Sequence, residues 1–270
     1  MTPDRADTAE YETIETERDG YVGRLTLSRP EALNTFSTQL AVDLDAALRA
    51  MDEAEDVRAI VVDGAGKAFS AGIDLSEHAE FDTESAFEAW VTRMEEPFHT
   101  LTEMRTPVVA AAHGHAAANG LGLVAACDLA VAAEGTKFGA TAPKVGLFCM
   151  GPAVPLMQSL TRKRCLEMLL TGELIDAATA LDWGIINRVA PAGQHVDAAM
   201  ELAETMASKS PVAVQRGKQA YYEMEGMPYG DALTYSNGAF AGLCTTADAA
   251  EGIAAFLDGE PLAADEWPNA

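Results

Sequence analysis

The sequence predicts an α/β fold, a sheet covered by helices and followed by a helical C-terminal part. Three observations carry that expectation. Two short runs, AIVVDG (59–64) and VVAAAHG (108–114), are almost continuously apolar and end in glycine, as strands buried on both faces do. Apolar stripes at helical spacing precede and separate them. Beyond about residue 150 the pattern is almost wholly helical. The α/β core is expected over 1–195 and the helical part over 196–270.

Each element has its own signal. YETIETE and YVGRLTLSRP are β-prone arms around Asp19-Gly20, a hairpin turn, and Pro30 ends the second arm. Ser37 is placed to cap a helix whose Leu40, Leu44, Leu48 and Met51 share one face. Phe87, Val91, Met94, Phe98 and Leu101 form a second stripe, ended by Pro107. HAAANGLGLVAACD (115–128) then sets an Asn-Gly turn before an apolar helix, and LAVAA (129–133) follows as a strand. TRKRCLEMLLTGE and DAATALDWG read as short helices, each closed by glycine, and IINRV as a lone strand. Three further helices are expected, one opening at Ser210-Pro211 with proline in its first turn.

Composition narrows the function classes. A chain of 270 residues, 49% hydrophobic, fits one large domain or a core with an appendage. No apolar window of about 18 residues predicts a membrane span. The acidic N-terminus MTPDRADTAEYETIETE reads as neither signal nor transit peptide, so a cytoplasmic protein is expected. The net charge of −24 argues against nucleic-acid binding through a basic footprint. Acidity with few lysines suits a proteome adapted to high salt, with an ordinary acidic mesophile protein as the alternative. Cys127, Cys149, Cys165 and Cys244 form no CxxC pair and read as reduced thiols. His113 and His115 have no further ligand at metal-site spacing, and no metal is expected.

Five stretches, in order, resemble the enoyl-CoA hydratase/isomerase (crotonase) family: LTLSRPEALNTFS (25–37), GAGKAFSAGIDLSE (64–77), AAAHGHAAANGLGLVAACDLAVAAEGTKFG (110–139), LLTGELIDAATALDWGIINRVAP (169–191) and EGIAAFLDGEP (251–261). The resemblance implies a spiral ββα core, a C-terminal oligomerisation part, an acyl-CoA thioester as ligand, and a homotrimer or dimer of trimers. No separate cofactor is implied, since coenzyme A arrives with the substrate. It places two backbone N–H donors for a thioester enolate at Ile73 and Asn119, with Gly120 as neighbour to the second. It assigns Ala68, Ser70, Ala71, Gly72, Asp74 and Leu75 to the segment that meets coenzyme A. Asn119 would also tolerate a left-handed backbone better than most residues.

The chain departs from the family at the positions of its two catalytic glutamates, which here are Gly122 and Ala142. Neither can transfer a proton, so hydration of an enoyl thioester lacks its acid–base pair. Leu257-Asp258-Gly259-Glu260 stands where a basic pair often meets the coenzyme A phosphates. Other candidates for proton transfer are His78 and Lys144, then Cys149; Glu95 and Glu96 read as a solvated helix face. Two functions stay open: an enolate-type acyl-CoA enzyme, or a non-catalytic acyl-CoA-binding or assembly protein on the same fold. Installing glutamate at both 122 and 142 is expected to confer some hydration.

Screening should help so acidic a chain and its anionic ligand alike. Melting temperature and acyl-CoA affinity are both expected to rise from low to molar salt. A melting temperature that stays flat or falls over that range refutes the expectation.

Overall fold

The computed structural model describes residues 11–269. The acidic stretch 1–10, part of the segment read above as no targeting peptide, lies outside the described residues. The predicted hairpin is present, with β1 (Ile14–Asp19) antiparallel to β2 (Val22–Leu27) and Gly20 at φ +56° in the turn. From β2 the sheet continues in parallel through β3 (Ala59–Gly64), β4 (Val108–Ala112), β6 (Leu129–Ala133) and β9 (Arg188–Ala190). A second, smaller sheet pairs β5 (His115–Ala117) with β7 (Lys137–Gly139) and β7 with β8 (Ile175–Asp176).

Both faces of the main sheet are covered, which is why its central strands read as apolar runs. On one face Ile60, Val62, Val108 and Ala110 meet α1 (Thr38–Glu53), α2 (Glu84–Glu103) and α3 (Asn119–Ala126) in the larger core. Ser37 caps α1 as expected, accepting from the Leu40 N–H at 3.1 Å. The chain then runs through α4 (Met150–Ser159), α5 (Arg162–Thr171) and α6 (Ala177–Trp183); Gly172 and Gly184 close the last two in left-handed conformation. The strand read in IINRV starts later, at Arg188. Ile185 and Ile186 are instead buried in the core, and the Asn187 side chain accepts from the Ala130 N–H.

Four helices follow β9 rather than three: α7 (His195–Ala207), α8 (Pro211–Met224), α9 (Tyr229–Cys244) and α10 (Ala247–Asp258). Ala199, Ala203 and Ala207, spaced by four, seat α7 on Val61, Val109, Ala111 and Val131 across the other face of the sheet. The expected boundary at 195/196 falls after the first residue of this helix. By contrast, α9 buries no residue, and Tyr229, Phe240, Phe256 and Leu257 are exposed on α9 and α10. Among the described residues no single helix is long and apolar enough to cross a membrane. Cys127, Cys149 and Cys165 are buried free thiols, and Cys244 is exposed.

Asp128 locks α8 to the sheet. It accepts from the Val108 N–H at 2.7 Å and the Tyr222 hydroxyl at 2.9 Å, and pairs with Lys218 Nζ at 2.8 Å. Lys218 also donates to the Thr106 carbonyl at 3.0 Å. Burial, then the Asp128 charge and hydrogen bond, push the Tyr222 hydroxyl far above its ordinary range. Asp128→Ala leaves a buried cation without its partner. It is expected to cost about 3–5 kcal/mol of unfolding free energy. Arg18→Ala, which breaks the exposed pair with Asp56, should cost about 1 kcal/mol or less. Urea unfolding at one fixed protein concentration measures both, and similar losses would refute the distinction.

Candidate active site

Two tight turns are sewn together along their backbones. The Phe69 N–H donates to the His113 carbonyl at 2.9 Å, the Ser70 N–H to His115 at 3.1 Å, and the Ala117 N–H to Ser70 at 2.9 Å. Beyond these bonds the approach tightens further. A Cβ on Gly72 would lie 2.8 Å from Ala118 Cβ, and Gly72 sits at φ +106°. A Cβ on Gly120 would lie 2.4 Å from the Ser70 carbonyl oxygen. Glycine is needed on both sides of the contact because backbone meets backbone there.

Each turn carries one of the expected donors next to its glycine. Among the described residues, neither the Ile73 N–H nor the Asn119 N–H has an acceptor. Asn119 is the first residue of α3, where helical N–H groups lack internal partners and the dipole favours an anion. Gly120 is the second residue of the same turn. Asn119 does not use its tolerance of a left-handed backbone; the positive φ falls one residue earlier, on Ala118, at φ 45° and ψ −116°. Asn119 is already helical, so its own conformation is ordinary. Ala118 carries the reversal from β5 into α3, at a cost of order 1–3 kcal/mol.

Side chains without chemistry of their own hold the first turn in place. Buried Asn34, at φ 52°, donates to the carbonyls of Ala65 at 2.9 Å and Ala68 at 2.8 Å. The Phe36 N–H donates to Gly72 at 2.7 Å, and the Asp74 N–H donates to Phe36 at 2.8 Å. Asp74 caps the short 3-10 segment Leu75–Glu80 through Ser76 and pairs with Arg29 at 3.1 Å. Burial alone would raise the Asp74 carboxyl, but the Ser76 hydrogen bonds and Arg29 hold it below its ordinary value. Glu77 accepts from the Thr38 N–H and from Trp90 Nε1, each at 2.9 Å, tying this segment to α1 and α2. Of the residues assigned to coenzyme A, Ala68 and Ser70 are buried, and Leu75 is exposed. Ala71 is half-buried. Ser70 Oγ accepts from the Gly72 N–H at 3.3 Å, which shapes the turn.

The candidates for proton transfer are dispersed. His78 is exposed and stacks on Phe87, ring centroids 4.7 Å apart. Lys144 is exposed and faces Glu173 at 3.6 Å. Cys149 is buried, and desolvation pushes its thiol up despite a hydrogen bond from Ala142, so it is a poor nucleophile. His115 is exposed. His113 Nε2 donates to the Gly66 carbonyl at 3.1 Å, and its ring lies against His195 at the start of α7. Burial, then His113, lowers the pKa of His195.

The solvated-face reading holds for Glu96, which pairs with exposed Arg49 at 3.5 Å, and fails for Glu95. Glu95 is half-buried, with its carboxylate against Gly151 on the first turn of α4. The apolar stripe of α2 contained the signal: Glu95 directly follows Met94 and lies three residues before Phe98, both buried.

A family model described as enoyl-CoA hydratase/isomerase matches residues 17–263. A Mycobacterium bovis protein described as a probable enoyl-CoA hydratase is 34% identical over 252 residues, covering 92% of this chain and 96% of the relative. The crystal structure of an enoyl-CoA hydratase from Mycobacterium smegmatis superposes with a TM-score of 0.90 at 34% identity, over 93% of this chain and 98% of that one. Human enoyl-CoA hydratase domain-containing protein 3 gives 0.87 at 30% identity, over 93% and 100%.

The geometry revises what a glutamate at 122 would do. A Cβ on Gly122 would lie 2.9 Å from Phe98 Cζ and 3.1 Å from Pro152 Cα. Gly122→Glu alone is expected to overpack this seam and cost about 1–3 kcal/mol. The expectation that glutamates at 122 and 142 suffice for hydration therefore needs Phe98 removed as well. Chemical denaturation of Gly122→Glu against Gly122→Glu/Phe98→Ala checks this; no rescue by the second change refutes it.

Proposed function

The chain belongs to the enoyl-CoA hydratase/isomerase family and has its crotonase-like fold, and from that premise we propose that it is an acyl-CoA enzyme that stabilises a thioester enolate. The observation that carries this reading is the pair of unpartnered N–H groups, Ile73 and Asn119, beside two interlocked glycine turns. A thioester carbonyl oxygen that accepts from both gains most when it becomes negative, so the donors favour the enolate over the substrate. The α3 dipole acts in the same sense. Small side chains at 71, 72, 118 and 120 let the thioester reach the backbone.

The reaction class is an enolate step, such as double-bond isomerisation, decarboxylation or thioester cleavage. Hydration through residues 122 and 142 is disfavoured, since neither is ionisable and 122 faces Phe98. We also read the chain as a trimer or dimer of trimers. The exposed Tyr229, Phe240, Phe256 and Leu257 support burial against a second copy. Light scattering at micromolar concentration in high salt should give at least three times the chain mass of 28.5 kDa; a monomer mass refutes it.

Enolate formation is tested without knowing the natural acyl group. Butyryl-CoA in D2O should gain deuterium at its α-carbon, read by mass spectrometry. Asn119→Pro removes the N–H at a first helical position, where proline is tolerated. It should slow exchange by roughly 100–1,000-fold. Butyryl-CoA binding without exchange would favour the non-catalytic reading.

A further inference from the structure

We propose that Glu95, presented from α2, is the acid–base residue of this site, taking the proton from the carbon next to the thioester carbonyl and returning it. The inference rests on the enolate reading above and adds the group that moves the proton.

The position from which the family would supply a carboxylate is closed, and the same seam holds a different one. Phe98 fills the space beside Gly122, and Pro152 closes it from α4. One turn back along α2 lies Glu95, on the same face as Phe98. An ideal Cβ on Gly151 would lie 1.8 Å from Glu95 Oε1 and 2.4 Å from its Cδ, so the carboxylate occupies the room that glycine leaves. Asn119 and Gly122 are three apart and share a face of α3. At Gly122 that face is covered by Phe98 and the first turn of α4. Glu95 therefore lies against α4 beside the seam that Phe98 and Pro152 make with α3.

Its surroundings suit the task. Glu95 has no hydrogen bond or ion pair among the described residues, in contrast to Asp74, Glu77 and Glu96, each of which is engaged. Burial holds its carboxyl above the ordinary value, with His99, one turn along α2, pulling it partly back. A base raised in this way is stronger when it is ionised. In the step, the Cα–H bond breaks and its proton goes to the Glu95 carboxylate. The electron pair forms the Cα=C bond, and the carbonyl π pair moves to the oxygen held by Ile73 and Asn119. The reverse transfer restores both groups, at the same carbon or at another in conjugation with it.

The test is deuterium exchange into butyryl-CoA, with ligand affinity measured alongside. Glu95→Gln keeps shape and removes the base; it should slow exchange about 100-fold or more while affinity changes by about threefold or less. Glu96→Gln should leave exchange unchanged. Gly151→Ala keeps the carboxylate but displaces it, and should also slow exchange by roughly 100-fold; it decides the matter if Glu95→Gln does not fold. Exchange by folded Glu95→Gln at close to the wild-type rate overturns the assignment while leaving the enolate reading intact. No exchange by the wild-type protein overturns both.

Discussion

The site depends on one backbone-to-backbone seam. Ser70 donates to the His115 carbonyl and accepts from the Ala117 N–H, so a loop after β3 becomes an extra rung beside β5. Everything functional is measured from that rung. Gly72 and Gly120 press against the opposite chain just past it, and the two free N–H groups sit next to those glycines. Buried Asn34, the Phe36 bridge and the Glu77–Trp90 contact serve the rung by fixing the loop on its other side. Two short segments far apart in sequence thus share one rigid frame, which a pair of convergent donors requires.

In the proposed reading, proton transfer belongs to a different part of the molecule. The donors are main-chain atoms held by the sheet connections, whereas Gly122, Phe98, Glu95 and Gly151 lie on packed helices. Gly122, Phe98, Glu95 and Gly151 make none of the backbone bonds that form the rung. Residues 122 and 142 carry no ionisable side chain, while the two glycine turns and their bonds are intact.

Much of this was legible in the sequence, for identifiable reasons. Strands buried on both faces show as AIVV and VVAAA, and helices announce themselves through Ser37 and the Leu40–Leu44–Leu48 stripe. The glycine turns were legible through their resemblance to two motifs of the family, since the second alone also reads as tight helix–strand packing. Other features are invisible to local pattern. Nothing near Asp128 foretells that Lys218, ninety residues later, will neutralise it. Glu95 looked like half of an exposed acidic pair, since adjacency to Glu96 says nothing about which side of the helix meets α4. The helix α7 was merged with the C-terminal part because its alanine stripe is apolar but small, and only the sheet behind it shows what it covers.

Ala118 carries the chain through a conformation that alanine ordinarily avoids, and does so in the turn before the second donor. That distortion is held by contacts made during folding: the Ala118 N–H donates to Gly139, and Gly72 lies against its methyl group. The Asn119 N–H is consequently aimed before any ligand arrives. In the proposed reading such a donor set is a mould built by the backbone itself. Innovation on such a scaffold would come from what the neighbouring helices bring to the bound thioester, while the mould itself stays unchanged.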